Sequence, residues 1–179
     1  MTTLIKDPFI WVKDNVIPSK KCEEIIQRFE KYKHYHRKGV VGGGIVDTTV
    51  KDSYDLKISE SLEFEDICTL LSDTLQKELV NYHTWCSRIT RKSFTTGKEY
   101  PLTIDLPPFY DLDHQIQKTH PGKGYTWHSD KYSTRILTYI FYLNTVDEGW
   151  TEFWQGDKVA PKQDKYISTG WLAGILQPF

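Results

Sequence analysis

The stretch that most constrains this chain spans residues 115–153 and has His128-Ser129-Asp130 at its centre. Side chains two residues apart on a strand point to the same face of a sheet. An imidazole and a carboxylate placed in this way can bind one metal ion from the same side. They supply two-thirds of the 2-His-1-carboxylate arrangement, which leaves coordination positions open on iron(II).

A His-x-Asp pair alone is a weak signal, because a surface histidine close to a surface aspartate gives the same pattern. The flanking sequence strengthens it here. Pro121-Gly122-Lys123-Gly124 predicts a turn just before the pair. Residues 136–143 form a β-rich run of strand length just after it. We therefore expect the pair to lie on a strand that follows a tight turn.

The run after the pair divides into two faces. One face carries Thr138, Ile140 and Tyr142, and the other is apolar or aromatic throughout. Hydroxyl groups along one face are typical of a strand that lines a ligand-binding barrel, although a strand facing solvent gives the same pattern. We expect Thr138 and Tyr142 to point to the same side as His128.

In this region the sequence resembles a known family. The matching segments are the Pro-Gly turn, the His-x-Asp pair, the strand Arg135-x-x-Thr138-x-x-x-Tyr142-Leu143-Asn144, and the segment Glu148-Gly149-Trp150-Thr151-Glu152-Phe153. Together they resemble the 2-oxoglutarate- and Fe(II)-dependent oxygenases of the prolyl 4-hydroxylase type, including small phage-encoded members. Trp150 replaces the second glycine of that family's Gly-Gly-x-Thr-x-Phe motif.

The order of elements and the resemblance agree on the fold class. Helical patterns come first and strand patterns later, which indicates an α+β domain. The resemblance implies a double-stranded β-helix, or jelly roll, with N-terminal helices packed on one sheet. We expect a single domain over residues 1–179. Residues 1–95 form a helical support region and residues 96–179 form the β-helix core.

The resemblance also implies roles for individual residues. Fe(II) is the expected cofactor and 2-oxoglutarate the cosubstrate, with ascorbate as a further small molecule. The metal ligands are His128 and Asp130, and no other catalytic residue is expected. The cosubstrate contacts are Tyr142, Thr138 and Thr119. The substrate-side residues are Arg135, Trp127 and Tyr100.

The sequence departs from the family at its C-terminal end. Relatives carry a second metal histidine far downstream, followed by an Arg or Lys that binds the distal carboxylate of 2-oxoglutarate. Here no histidine follows His128, and no Lys or Arg follows Lys165. Ala173 stands where the resemblance places the second histidine.

Three residues could compensate for these losses. Lys118, on the neighbouring predicted strand, is a substitute for the missing cation. His114 and His120 are the histidines nearest in sequence that could complete the metal site. If none of them does so, a site with two protein ligands should bind iron weakly and turn over slowly or not at all.

The length of the tail limits the barrel. Strands usually have five or six residues, so residues 166–176 are expected to supply one strand and a turn. A complete β-helix of this family needs two strands in this segment. We expect residues 168–179 to be poorly anchored or to pair as one strand, which leaves a sheet edge open and favours self-association.

Two functional classes remain open. The first is a hydroxylase of this oxygenase type that acts on a protein side chain or a small molecule, with a peptide or protein as a candidate partner. The second is a degenerate or truncated oxygenase fold without catalysis. A cupin-type metalloprotein would show more histidines, and a nucleic-acid demethylase would have a more basic chain.

The composition restricts the partners and the cellular compartment that we expect for this chain. The net charge is −1, which argues against nucleic acid and anionic membrane partners. No apolar run reaches transmembrane length. Cys22, Cys68 and Cys86 are odd in number and far apart, which fits free thiols in a reducing cytoplasm, including that of a phage host.

Overall fold

The computed structural model describes residue 5 and residues 7–93, 95–101, 113–130, 137–147, 149–154, 156–170 and 174–177. Its α-helices are α1 (Ser19–Lys31) and α2 (Glu65–Cys86). The strands, named in chain order, are β1 (Ile10–Lys13), β2 (Arg37–Lys38), β3 (Ser53–Lys57), β4 (Thr90–Lys92), β5 (Glu99–Pro101), β6 (Gln115–Thr119), β7 (Tyr125–Ser129), β8 (Leu137–Phe141), β9 (Thr151–Phe153), β10 (Lys158–Val159), β11 (Tyr166–Gly170) and β12 (Gly174–Gln177).

The strands form three larger sheets and one hairpin. The helix-side sheet has the order β1-β11-β8, and the opposite sheet has the order β10-β9-β12-β7. The flanking sheet has the order β2-β3-β6, and β4 pairs with β5 in a two-stranded hairpin. Every pairing is antiparallel. In the flanking sheet the register places Ser53 opposite Thr119 and Asp55 opposite Gln117.

The helix-side sheet and the opposite sheet face each other across an apolar layer. Ile10 and Ile167 come from the helix-side sheet, and Phe153 and Val159 come from the opposite sheet. All four are at most 4% exposed, and Tyr142 packs against them. The burial of this layer from both sides holds the two sheets together.

The two helices cover the outer surface of the helix-side and flanking sheets. The buried face of α1 carries Cys22, Ile25 and Phe29, at the spacing expected for one side of a helix. These residues share one cluster with Leu56 of β3, and Ile116 of β6 packs against it. The residues of α2 that are buried are Ile67, Leu71, Leu75, Glu78, Leu79, Tyr82 and Cys86.

The side chains of β8 point alternately toward and away from the helices, as the sequence predicted. Leu137, Tyr139 and Phe141 pack against the cluster formed by α2 and Tyr166, on the helix side. Tyr142, one residue beyond the strand, packs into the layer between the two facing sheets. The face that carries Thr138 therefore points away from the helices, as the period of two predicted.

The tail contributes more than the sequence predicted. Residues 166–176 were expected to give one strand and a turn, but the chain forms both β11 and β12 in this segment. β11 lies between β1 and β8, and β12 lies between β9 and β7. The expectation of a single strand was wrong, because a four-residue strand with partners on both sides needs less chain than the typical strand length.

Two sheet edges lie close together in the described part of the chain. There β8 pairs only with β11, and β6 pairs only with β3. The Tyr139 hydroxyl of β8 hydrogen-bonds His114 Nδ1 at 2.9 Å, just before β6 begins. The helix-side and flanking sheets are therefore neighbours without a backbone ladder between β8 and β6.

The N-terminal part of the chain is not only a helical support. β1 pairs with β11 in the helix-side sheet, and β3 pairs with β6 in the flanking sheet. Strands from residues 1–95 and from residues 96–179 are thus interleaved in the same sheets. No helix among the described residues combines the length and the apolar character that crossing a membrane requires.

Candidate functional site

His128 is fixed on β7 by a bond to its own strand. The Nδ1 atom lies 2.8 Å from the carbonyl oxygen of Thr126. A carbonyl oxygen only accepts hydrogen bonds, so Nδ1 carries the proton and donates it. In the neutral ring Nε2 then presents its lone pair. A histidine held in this tautomer by a carbonyl is oriented as metal-binding histidines usually are.

The Asp130 carboxylate approaches the free nitrogen of this ring. Oδ1 of Asp130 lies 3.4 Å from Nε2 of His128, and the two side chains are 27% and 16% exposed. A lone pair and a carboxylate oxygen repel each other at this distance unless a proton or a cation lies between them. The donor chemistry therefore fits a divalent metal ion that is bound by one nitrogen and one oxygen.

Thr138 orients the carboxylate from a different sheet. Its hydroxyl donates to Oδ2 of Asp130 at 3.0 Å. Because β8 belongs to the helix-side sheet and β7 to the opposite sheet, this bond links the two sheets at the site. It also confirms that Thr138 points to the side of the His128–Asp130 pair. Its predicted contact with a cosubstrate stays a prediction.

The Tyr142 hydroxyl lies deeper between the sheets. It hydrogen-bonds the hydroxyl of Thr151, which is 1% exposed. Burial raises the pKa of Tyr142 well above its ordinary value, against a smaller opposing effect of the Thr151 bond. The phenol therefore stays protonated at neutral pH and can donate a hydrogen bond. Its predicted role as a cosubstrate contact stays a prediction.

The third predicted cosubstrate contact is more peripheral. Thr119 is the last residue of β6 and is exposed. It lies opposite Ser53 in the flanking sheet. Its predicted role as a cosubstrate contact stays a prediction.

The three predicted substrate-side residues have different outcomes. Trp127 precedes His128 on β7, so its side chain points to the other face. There its ring contacts Trp154 edge-on at a centroid distance of 5.9 Å. Its predicted role on the substrate side stays a prediction. Tyr100 is an exposed residue of β5 and stays a prediction, and Arg135 lies outside the described residues.

Neither histidine proposed to complete the site reaches it. His114 is buried on the helix side, where its ring nitrogens bond Ser72 of α2 and Tyr139 at 2.8 and 2.9 Å. His120 packs edge-on against Tyr54. Within the described ranges, no group of three His, Cys, Asp or Glu side chains could hold a metal ion. Ala173 lies outside those ranges.

Lys118 is not the substitute cation that its position in sequence indicated. Its ammonium forms an ion pair with Glu30 of α1. This places Lys118 on the helix side of β6, together with Ile116. The prediction was wrong because residues 116 and 118 share the face of their strand that is turned toward α1.

A second layer of side chains surrounds His128, and no sequence pattern indicated it. The ring of Tyr125 stacks on the His128 ring, with centroids 3.6 Å apart and an interplanar angle of 13°. The ammonium of Lys51 lies 5.5 Å from the centroid of the same tyrosine ring. An isolated β-bridge joins Lys51 to Tyr125 of β7, far away in the sequence, so no local pattern could predict the contact.

Comparisons with known proteins identify the architecture. No protein-family model matches the chain, and no curated protein sequence does. Among solved structures, a Trichoplax adhaerens prolyl hydroxylase in complex with a hypoxia inducible factor oxygen degradation domain peptide fragment is similar, with a TM-score of 0.70. It shares 12% sequence identity, and the match covers 96% of this chain and 78% of that one.

Two further structures support the same assignment. A Pseudomonas putida prolyl-4-hydroxylase matches with a TM-score of 0.65 and 13% identity, over 95% of this chain and 86% of that one. The viral collagen prolyl hydroxylase of Paramecium Bursaria Chlorella virus-1, in its 2OG complex, matches with a TM-score of 0.60 and 14% identity, over 95% and 88%. The chain therefore has the α+β jelly-roll fold of the prolyl hydroxylase oxygenases.

Proposed function

We propose that this protein is a 2-oxoglutarate- and Fe(II)-dependent oxygenase of the prolyl-hydroxylase type. The observation that carries the proposal is the convergence of His128, Asp130 and Thr138 within a prolyl-hydroxylase fold. His128 Nε2 and Asp130 Oδ1 would hold the iron. When bound, the iron together with 2-oxoglutarate and O₂ supplies the oxidation of a C–H bond, with succinate as a product.

The residues of this chain would supply orientation and a dry environment. The Thr126 carbonyl holds the His128 tautomer, and Thr138 turns one oxygen of Asp130 away so that the other faces His128. Tyr142, protonated at neutral pH, would donate to a carboxylate of the cosubstrate. Its buried position next to Thr151 would keep water away from that contact.

The substrate class we propose is a side chain of a peptide or protein. The Trichoplax adhaerens enzyme with the same fold is in complex with a peptide fragment. A small-molecule substrate is the alternative for the same reaction. We also propose ascorbate as an accessory reductant.

A second candidate function follows from the donor set. A prolyl-hydroxylase fold that has only two protein ligands could bind a partner without catalysis. The absence of a third metal-binding side chain among the described residues favours this candidate. The two candidates differ in one measurable property, which is the production of succinate.

The test begins with protein purified without oxygen and titrated with Fe(II). We expect iron to bind weakly, and we expect His128→Ala and Asp130→Ala each to lower the affinity further, by more than the 10–100-fold typical of losses outside the ligand sphere. His120→Ala is the matched control, because His120 packs on Tyr54 outside the site.

Turnover separates the two candidates. With 2-oxoglutarate, O₂ and a peptide rich in proline, we expect succinate at a rate below about 1 per second, the low end for ordinary enzymes. A parent protein that binds no iron and releases no succinate would favour the non-catalytic candidate. Equal activity in the parent and in His128→Ala would overturn the metal assignment.

A further inference from the structure

A buried cation lies beside the candidate metal site. Lys51 is 5% exposed, and it is the only Lys or Arg in the buried set of the described residues. Its stem runs over Gly39, where an added Cβ would lie 2.8 Å from Lys51 Cε and 2.4 Å from Ser53 Oγ. Any side chain at position 39 would therefore displace the lysine, so its path depends on a glycine there.

The ammonium group is held by an oriented carboxylate. Lys51 Nζ donates to Asp55 Oδ2 at 2.8 Å. Asp55 also accepts from Ser53 Oγ at 2.7 Å and from Gln115 Nε2 at 2.9 Å. Three donors on one carboxylate fix its position and, through it, the position of the lysine. This network joins β3 to β6 on their inner face.

The Lys51 ammonium has more N–H donors than the hydrogen bond to Asp55 uses. It carries three N–H groups, and Asp55 is its only hydrogen-bond acceptor in the described part of the chain. Its other contact there is the face of the Tyr125 ring. Leaving N–H groups of a buried cation without acceptors is costly, and an incoming oxyanion would remove that cost.

Lys51 points to the same interior as the metal pair. Lys51, Ser53 and Asp55 alternate with Leu56, which packs on the helices, so they face the inside of the fold. The Tyr125 ring lies 5.5 Å from the ammonium and stacks on His128. One aromatic ring therefore connects the cation with the candidate metal ligand.

We infer that Lys51 binds the second carboxylate of the 2-oxoglutarate cosubstrate beside His128. The inference rests on the proposed function. The sequence has no Lys or Arg after Lys165, and Lys118 is engaged by Glu30 on the opposite face of β6. Because Asp55 balances the charge of Lys51, recognition relies on directed N–H donors and not on excess positive charge.

The experiment compares two keto acids by calorimetric titration with Mn(II) in place of Fe(II), so that no turnover occurs. 2-Oxoglutarate has the second carboxylate, and 2-oxopentanoate has a methyl group in its place. We expect Lys51→Met to weaken 2-oxoglutarate binding by about 10- to 100-fold, the value of a charge-assisted hydrogen bond. Binding of 2-oxopentanoate should not change.

Two further variants make the result interpretable. Lys118→Met removes an ion-paired lysine from the outer face of β6 and should leave both affinities unchanged. Lys51→Met leaves Asp55 buried without its cation, so the double variant Lys51→Met/Asp55→Asn serves where the single variant does not fold. Lys51→Arg should recover part of the 2-oxoglutarate affinity, because it restores N–H donors at this position.

The outcomes separate the inference from the proposed function. A parent protein that binds neither keto acid overturns the proposed function and the inference with it. A parent that binds both equally, or a Lys51→Met variant that weakens both equally or neither, overturns the inference alone. Selective loss of 2-oxoglutarate supports it.

Discussion

The hydroxyl of Thr138 donates a hydrogen bond of 3.0 Å to Oδ2 of Asp130, from a strand in the sheet that faces β7. The other oxygen of the same carboxylate lies 3.4 Å from His128. The direction of the carboxylate is therefore set by the way the two sheets face each other, and not only by its own strand. Changes in the packing between the sheets should alter the geometry of the His128–Asp130 pair through this bond.

Thr138→Val tests this link. Valine keeps the shape of threonine but cannot donate to Asp130, so we expect metal affinity to fall by about 10–100-fold. Titration with Mn(II) or Fe(II), followed by calorimetry, gives the affinity. Thr84→Val, on the exposed face of α2, is the matched control. An unchanged affinity in Thr138→Val would show that Asp130 is oriented without Thr138.

The Tyr142–Thr151 pair allows a double-mutant cycle. Tyr142→Phe and Thr151→Val each leave one hydroxyl without its partner between the sheets, so each should lower the free energy of unfolding by about 1–3 kcal/mol. The double variant removes both hydroxyls and should lose less than the sum of the single changes. Urea unfolding measures all four proteins, and strict additivity would contradict the coupling.

Acid should weaken the contact between α1 and β6. Lys118, and to a smaller extent Lys33, lower the pKa of Glu30 below its ordinary value of 4.5. A lowered folded-state pKa gives stability that is complete above the unfolded value and is lost as the pH falls through the folded value. Both side chains are partly exposed, so the contribution is at most about 1 kcal/mol.

The variant Glu30→Gln measures this contribution. Its unfolding free energy should be lower than that of the parent at neutral pH, and the difference should shrink as the pH falls below 4.5. Glu23→Gln, at an exposed position of α1, is the control and should show no such trend. A difference that stays constant across this range would mean that the ion pair does not stabilise the fold.

The neighbouring edges of β8 and β6 should favour association. Unpaired backbone groups on a sheet edge can pair with another chain. We expect size-exclusion chromatography at several concentrations to show a concentration-dependent increase in apparent size. A monomer at every concentration would mean that these edges are covered in solution.

The pattern of β8 was predictable because Thr138 and Tyr142 fall on one face of the run, and the residues between them alternate with a period of two. Local order also located the His128–Asp130 pair after its turn. β12 was not predictable from length, because its four residues are paired on both sides. Short strands of this kind depend on partners that a length argument cannot include.

The side chains that surround His128 could not be predicted from the sequence. Lys51 and Tyr125 are 74 positions apart by their numbering and meet only because β7 pairs with the segment before β3. For Lys118 the prediction failed in the opposite direction. Lys118 is close to the site in sequence, but its side chain faces α1. In both cases the face of the strand, and not the distance along the chain, decides what a lysine contacts.

The edge contact between Trp127 and Trp154 gives the protein a built-in optical reporter. The two indoles belong to the segments on either side of β12, and Trp127 shares β7 with His128. Their electronic transitions couple through space, and the coupling changes steeply with the angle between the rings. Circular dichroism of this pair would therefore register a rotation of β7 when an ion binds on the reverse face of the same strand, without any added label.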